Sequence, residues 1–153
     1  MHENLAESRI HRRLIDQLYV EAMVLADEAR TYFDEDGRAE RESLSPVERV
    51  GFSCESLKVT TRLMHVIAWL LTQRAVAAGE LRPNEALDPS RRLGDAPRTD
   101  EAAAAALPLR ARLLIMASSD LHRRIARLDR PDHADHAVPS PARAMQQRLA
   151  LAF

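Results

Sequence analysis

Cysteine, glycine and aromatic residues are all scarce in this sequence. The chain of 153 residues contains one cysteine, four glycines and eight prolines, and its aromatic fraction is 4%. A lone cysteine, Cys54, excludes an internal disulfide framework and is compatible with a reducing cytosol. The low glycine and proline counts exclude a collagen-like or low-complexity chain. Because 46% of the residues are hydrophobic, the chain is too apolar for a disordered protein, and one folded domain is expected.

Long hydrophobic runs are missing as well. The most hydrophobic uncharged stretch covers residues 63–73, whereas a membrane span needs roughly 18 or more residues. The N-terminus carries Glu3, Glu7 and Arg9 where a signal peptide would need an apolar run. We therefore expect a cytoplasmic protein without a membrane segment.

Motifs that carry catalysis are also lacking. The sequence shows no glycine-rich phosphate loop, no HExxH pattern and no strained Gly-x-Ser-x-Gly turn. Cys54 lies on an apolar helical repeat, where a free cysteine is usually a small buried hydrophobe. His133 and His136, beside Asp132 and Asp135, are the best metal candidates, but they lie between prolines and have no cysteine partner. We interpret them as part of a solvated loop, and we predict no catalytic, metal or cofactor site and no enzyme.

Periodic apolar positions predict an all-α fold. Helices are expected at about residues 8–34, 46–78 and 108–129, and together they would form an antiparallel three-helix bundle within residues 1–130. The Ser45-Pro46-Val47-Glu48 sequence combines a capping hydroxyl, a first-turn proline and a glutamate three residues after the cap, which marks a helix start. The inward face of the first helix is expected to be Leu14, Leu18, Ala22, Leu25, Ala29 and Tyr32, widened by Ile15, Val24 and Phe33. The inward face of the third helix is expected to be Leu107, Ala111, Leu114, Ser118, Leu121, Ile125 and Leu128.

The second predicted helix is apolar on two faces. One face repeats at alternating spacings of three and four: Val47, Val50, Cys54, Leu57, Thr61, Met64, Ala68, Leu71, Ala75 and Ala78. The other face consists of Val59, Leu63, Val66, Ile67, Trp69 and Leu70. A helix that is apolar nearly all round must be covered on more than one side, so a homodimer through this helix is expected. The second set gives the core or dimer candidates.

The regions outside the long helices differ from them in composition. Residues 80–98 form a long connector without usable periodicity, and Ala102 to Ala106 predict a short helix of their own. The acidic run from Asp34 to Asp36 is expected to end the first helix and to be a solvated loop. The tail, residues 131–153, is spaced by prolines and then amphipathic, so it is expected to be flexible or weakly docked.

Charges are distributed unevenly although the formal net charge is −1. Residues 1–45 carry six basic and eleven acidic groups, whereas residues 107–130 carry six basic and two acidic groups. An acidic first helix beside a basic third helix is electrostatically consistent with a bundle. The alternative use of the basic stripe of Arg123, Arg124, Arg127 and Arg130 is phosphate binding by a small DNA-binding regulator; the near-neutral total disfavours nucleic acid.

Two stretches resemble the alphaproteobacterial RcdA family, which is named for regulating degradation of a cell-cycle regulator. Residues 53–76, with TTRLM followed by WLL and QRAV, resemble the central helix of the family. Residues 107–129, which end in RIARLD, resemble its third helix. The resemblance implies a dimeric three-helix bundle that acts as a non-enzymatic adaptor of the ClpXP protease. It also implies a response-regulator partner and protein cargo, and many members of the family bear only an unknown-function label.

The resemblance also selects candidates for partner binding. Arg62 and Arg74 match family positions, and they are expected to pair within the chain, to pair across a dimer or to contact a partner. Arg124 and Arg127 are candidates on the third helix. Leu149, Leu151 and Phe153, in the tail, match no motif of the family; as an apolar C-terminus they are candidates for contacting an unfoldase or another helix groove, and the alternative is a weakly docked helix that covers the core. Of the remaining histidines, His65 is expected in the core or an interface and His122 at the surface.

Overall fold

Three long helices dominate the chain in a computed structural model, which describes residues 2–130 and 148–149. Helix α1 spans His2–Thr31 and continues into a π-helical turn, Tyr32–Asp36. Helix α2 spans Arg38–Glu42, α3 spans Pro46–Ala77, α4 spans Glu101–Ala105 and α5 spans Leu109–Asp129. The regular elements of residues 2–130 are all helical, which confirms the predicted all-α class. Helix α1 begins earlier than the predicted residue 8, and the bounds of α3 and α5 lie within one residue of their predictions.

The start of α3 is formed by the capping residues that the sequence predicts. The Ser45 hydroxyl accepts a hydrogen bond from the backbone N–H of Glu48, and the Glu48 carboxylate accepts one from the N–H of Ser45. This capping box satisfies two N–H groups that lack helical partners, and such caps stabilise a helix by about 1 kcal/mol. At the other end Gly79 adopts a φ of +76°, a conformation that suits glycine.

Helix α1 runs antiparallel to α3. The Arg12 guanidinium, near the start of α1, donates to the carbonyl of Ala77 at the end of α3 at 2.8 Å. At the opposite end of the pair, the rings of Phe33 and Phe52 meet edge to face with centroids 5.3 Å apart. Salt bridges from α5 back to α1 follow the same reversed order, and they show that α1 is antiparallel to α5 as well.

Helices α3 and α5, in contrast, run parallel to each other. Arg62 on α3 bonds Ser118 on α5, and seven residues further along α3 Trp69 bonds Asp129, the last residue of α5. The predicted antiparallel arrangement therefore holds for α1 against each of the other two helices, but not for α3 against α5. The connector makes the parallel pair possible because it travels back along the bundle before α5 begins.

The core lies between the three long helices. It is built mainly from buried residues on α1, α3 and α5 that were expected to point inward, including Leu18, Ala22, Tyr32, Leu121 and Ile125. Three predicted inward residues are exposed over more than a third of their surface: Leu14 at 38%, Val24 at 52% and Leu128 at 36%. Ile15, which widened the predicted stripe of α1, is 3% exposed and lies in the core with Leu18.

The acidic run after α1 is not a loop. Asp34, Glu35 and Asp36 belong to the π-helical turn, so the predicted loop was wrong, whereas their predicted exposure and the end of α1 before them are confirmed. The fully buried ring of Tyr32 anchors the turn, and its hydroxyl donates to the Glu40 carboxylate at 2.5 Å. Gly37 follows, where a Cβ would lie 2.7 Å from the Tyr32 carbonyl oxygen. The buried phenol therefore packs this turn, which ends at Asp36, against the core.

Candidate interaction surfaces

The connector is an ordered strap that lies along α3 and α5. It contains two 3₁₀ turns, Glu85–Leu87 and Pro89–Arg91, and the segment that follows them contacts side chains of both long helices. Its contacts with α3 run in reverse order along that helix, so the strap is antiparallel to it. Three side-chain clusters hold the strap in register.

The first cluster surrounds a buried arginine. Arg62 is 1% exposed, and its guanidinium donates to the carbonyl of Pro97, to the Thr99 hydroxyl at 2.7 Å and to the Ser118 hydroxyl at 3.3 Å. Thr99 in turn donates to the carboxylate of Glu55, which is 4% exposed and also accepts from Lys58. Burial lowers the pKa of Arg62, and the charge of Glu55 opposes that effect. Arg62 was a candidate for partner binding, but its side chain is enclosed by the strap and cannot reach a partner.

The second cluster is centred on Asp129 at the end of α5. Its carboxylate accepts from the indole of Trp69 at 2.7 Å, from Arg92 at 2.9 Å and from the backbone N–H of Leu93. The guanidinium of Arg92 also bonds the backbone carbonyl of Asp129. A carboxylate at a helix C-terminus opposes the helix dipole, and here three donors from two other segments compensate for it.

The third cluster contains two histidines. A ring nitrogen of His65 lies 2.9 Å from the carbonyl oxygen of Asp95, and a ring nitrogen of His122 lies 2.9 Å from that of Gly94. The expectation that His65 is a satisfied histidine agrees with this geometry, whereas the expected surface position of His122 was wrong because the strap half-buries it. A Cβ at position 94 would come within 2.6 Å of the His65 ring, so the strap needs glycine there.

The candidate arginines on the outer faces have different partners. Arg74 lies 3.5 Å from the Asp16 carboxylate and over the ring of Tyr19, so it pairs with α1. Arg124 makes a bidentate pair with Glu21 at 2.6 and 3.0 Å, which raises the pKa of its guanidinium. Arg127 is exposed and forms no ion pair within residues 2–130. Of the three, only Arg127 keeps its charge available to a partner.

The repeating face of α3 is the exposed one. We call it the α3 seam: Val47, Val50, Cys54, Leu57, Thr61, Met64, Ala68 and Leu71. Val50 is 64% exposed, Leu57 69% and Met64 63%. Cys54 is exposed too, which corrects its predicted burial. The other apolar face packs into the core of the single chain: Val59, Leu63, Val66, Trp69 and Leu70 are buried and Ile67 is half-buried.

Two grooves adjoin α3. A polar groove of about 480 Å³ lies between the strap and α3, with His65, Trp69, Arg91 and Asp95 in its walls. A shallower apolar groove of about 340 Å³ lies beside the seam, lined by Val50, Cys54 and Leu57 with two arginines at its edge. The second groove extends the apolar area that the α3 seam presents to solvent.

A second periodic stripe follows the outer face of α5. We call it the α5 stripe: Leu109, Leu113, Met116, Asp120, Arg123, Arg127 and Arg130. All seven residues are exposed, and the three apolar ones by 60%, 53% and 66%. Sequence reasoning singled out the arginines but not the leucines, although the spacings of four and three between successive members were visible in the sequence.

Metal and membrane sites are not supported by the part of the chain that the structure describes. No group of three or more potential metal-ligating side chains comes together there. The described helices include none with the length and hydropathy needed to cross a membrane. His133, His136, Leu151 and Phe153 lie outside the described residues, and Leu149 is 55% exposed.

Both the sequence and the fold of this chain match a known family. A family described as protein of unknown function, DUF1465, matches residues 6–153. The crystal structure of RcdA from Caulobacter crescentus CB15 is similar at 37% sequence identity and a TM-score of 0.63, covering 76% of this chain and 88% of that one. The chain belongs to this RcdA-like family. No curated protein matches the chain. The predicted resemblance to the RcdA family is thereby confirmed. Within the TTRLM and WLL segments, Arg62 bonds the strap directly, and Trp69 bonds Asp129, the residue of α5 that holds the strap at Arg92 and Leu93.

Proposed function

We propose that this protein is a non-enzymatic adaptor that delivers protein cargo, including cell-cycle regulators, to the ClpXP protease together with a response-regulator partner. The observation that carries the proposal is the similarity to RcdA, at 37% identity over most of both chains. An adaptor acts by tethering, because holding cargo beside the unfoldase raises its effective concentration without any bond chemistry. Such a protein needs a rigid frame with separate docking faces, and the α3 seam and the α5 stripe are two such faces.

The adaptor role is tested by reconstituted proteolysis. Purified ClpXP, the response-regulator partner and a cell-cycle cargo protein are mixed with and without this protein, and the loss of full-length cargo is followed over time. We expect faster cargo loss when all components are present and a return to the basal rate when either this protein or the response regulator is omitted. An unchanged rate in the complete mixture would contradict the proposal.

A second part of the proposal is a homodimer through the α3 seam. The core candidates on α3 are buried within one chain, so self-association through α3 would use the opposite face of the helix. The seam carries no charged residue from Val47 to Leu71, and its spacing is that of coiled-coil core positions. It measures about 36 Å at 1.5 Å per residue, long enough for two copies to bury a continuous apolar strip.

Sedimentation of the full chain over a range of concentrations tests the dimer. Leu57→Glu should shift self-association to concentrations at least about tenfold higher, because it introduces a charge into the covered strip. Val20→Glu is the matched control, since Val20 is 61% exposed on α1 and lies off the seam. The single thiol offers a second measurement: Cys54 should react with a thiol reagent more slowly as protein concentration rises. A wild-type monomer at all concentrations, or equal effects of the two glutamates, would refute this interface.

A further inference from the structure

The α5 stripe combines two chemistries on one line. Successive members are separated by four, three, four, three, four and three residues, so the six from Leu109 to Arg127 follow a single face of the helix for about 27 Å, and Arg130 comes directly after the end of α5. The first three, Leu109, Leu113 and Met116, are apolar and more than half exposed. The last three are Arg123, Arg127 and Arg130. The stripe is therefore apolar at the N-terminal half of α5 and cationic at its C-terminal half.

The cationic half is not neutralised by the bundle. Arg124, one position outside the stripe, is the residue that pairs with Glu21 on α1. The three stripe arginines form no ion pair with any residue of the described range 2–130. Like charges at these spacings on one helix face repel each other. The favourable helix dipole explains cations in the last turn, but it does not explain why they continue the register of the exposed leucines.

From this arrangement we propose that the α5 stripe docks a helix of a partner protein whose contacting face is apolar in one half and acidic in the other. The apolar half supplies buried area, and the arginines select acidic side chains and orient the incoming helix. The proposal does not depend on the proteolytic role, since any helical partner of this chemistry would fit.

Other occupants fit the stripe less well. Two α5 stripes in parallel would place arginine against arginine, and in antiparallel order each basic half would meet the apolar half of the other copy. Nucleic acid would leave Leu109, Leu113 and Met116 uncovered, and Asp120 in the middle of the stripe would repel phosphates. Asp120 also opposes an anionic membrane surface, which would otherwise accept apolar and basic residues together. A partner helix can match both halves, and Asp120 needs no basic residue from it because Asp120 already pairs with Arg124 of α5 at 3.8 Å.

Fluorescence anisotropy with labelled synthetic peptides tests the proposal on the full-length protein. The probes are two helical peptides of about 20 residues that carry leucines at heptad spacing in one half and glutamates in the other, in either order along the chain. A third peptide has lysine in place of glutamate. We expect one glutamate peptide to bind, with affinity that falls as salt is raised, and the lysine peptide to bind at least about tenfold more weakly.

Charge reversal then assigns the binding to the stripe. The double variant Arg123→Glu/Arg127→Glu should bind the glutamate peptide about tenfold or more weakly than wild type does, and it should bind the lysine peptide more tightly. Unfolding could not produce this exchange of preference. Leu113→Ser should weaken binding of the glutamate peptide to the wild-type stripe and binding of the lysine peptide to the double variant. Arg13→Glu, at an exposed position on α1, is the matched control and should change neither. Loss of binding to both peptides in the double variant, or binding that survives it, would overturn the proposal.

Two further ligands test the alternatives. Duplex DNA and vesicles containing anionic lipid are titrated under the same conditions into wild type and the double variant. If either binds more tightly than the glutamate peptides and loses affinity on charge reversal, the stripe is a nucleic-acid or membrane surface and the proposal is wrong. Failure of all the peptides to bind would also reject it, while leaving the adaptor proposal to stand or fall by the proteolysis assay alone.

Discussion

Trp69 and Asp129 join the parallel helices α3 and α5 through one hydrogen bond of 2.7 Å between the indole N–H and the carboxylate. Trp69 is the single tryptophan of the chain and is 4% exposed. Since Arg92 and Leu93 of the strap bond the same carboxylate, Asp129 fixes three segments at one point. The parallel direction of α5 thus depends on a contact between residues sixty positions apart.

Replacing Trp69 by phenylalanine should lower the free energy of unfolding by about 2–3 kcal/mol. The smaller ring keeps most of the apolar contact but leaves the Asp129 carboxylate without one of its donors, and hydrogen bonds to charged groups contribute about 1.5–3 kcal/mol. Urea denaturation followed by circular dichroism measures the change. Asp129→Asn, which preserves an acceptor for the indole but weakens the pair with Arg92, should cost less. A Trp69→Phe variant as stable as wild type would show that the bond contributes nothing.

Replacing the buried Arg62 by methionine should destabilise the chain by about 3–5 kcal/mol, as is found when one partner of a buried charged network is removed. The Pro97 carbonyl and the Glu55–Thr99 pair lose their common donor. The strap should loosen at the same time, so trypsin should cleave after Arg91 and Arg92 faster than in wild type. Arg98→Met, at an exposed position on the same strap, is the control and should change stability by no more than about 0.5 kcal/mol. Equal behaviour of the two variants would contradict a supporting role for Arg62.

Two glycine-to-alanine substitutions should change the free energy of unfolding in opposite directions. Gly37→Ala should destabilise by about 1–3 kcal/mol, since the new Cβ would lie 2.7 Å from the backbone oxygen of Tyr32 and 2.9 Å from its ring. Gly51→Ala, inside α3 where nothing lies within 4 Å of the added atom, should stabilise by about 0.5–1 kcal/mol through helix propensity. Thermal unfolding of both variants measures the difference. A stabilised Gly37→Ala would mean that the turn after α1 is not packed as the structure shows.

The buried phenol of Tyr32 should make the fold less stable in alkali. Burial, followed by the hydrogen bond and charge of Glu40, raises the pKa of Tyr32 well above its usual range. Above a pH of about 10 the unfolded chain releases the phenolic proton while the folded chain retains it, so the free energy of unfolding must fall as pH rises. Denaturation between about pH 8 and pH 11 should show this slope in wild type.

Tyr32→Phe removes the titrating proton and supplies the control for that slope. The variant should lose about 1 kcal/mol near neutral pH, because the bond to Glu40 is gone. Its stability should then decline less steeply than that of wild type as the pH passes 10. Parallel pH profiles for the two proteins would rule out Tyr32 as the source of the alkaline sensitivity.

Local signals were sufficient for the helices themselves. The Ser45–Glu48 capping box, Pro46 and Gly79 are each decided by contacts within a few residues, so α3 could be delimited from sequence. The core faces of α1 and α5 followed from apolar spacing for the same reason, except that Leu14, Val24 and Leu128 are exposed. The predicted loop at Asp34 to Asp36 was wrong because the π-helical turn there is packed through the buried Tyr32, and that contact lies outside the local pattern.

The candidate surfaces could be predicted only in part. Both faces of α3 are apolar, and periodicity cannot say which one α1 and α5 cover; the structure buries Val59 and Val66 and leaves Leu57 and Met64 exposed. Arg62 belongs to a recognisable motif, yet its burial depends on Pro97 and Thr99, which reach it only when the strap folds back. Arg74 and Arg124 pair with acidic residues of α1, which agrees with the acidic first helix and basic third helix that the sequence shows.

By itself the sequence determined the all-helical class, the positions of the three long helices, the scarcity of catalytic motifs and the resemblance to the RcdA family. These depend on spacing, capping and residue type, which act over one or two helical turns. Only the tertiary structure decided that α5 runs parallel to α3, that the strap encloses Arg62 and that the α3 seam and the α5 stripe face solvent. Each of these follows from contacts between residues far apart in the chain, and no local pattern in an aperiodic connector encodes them.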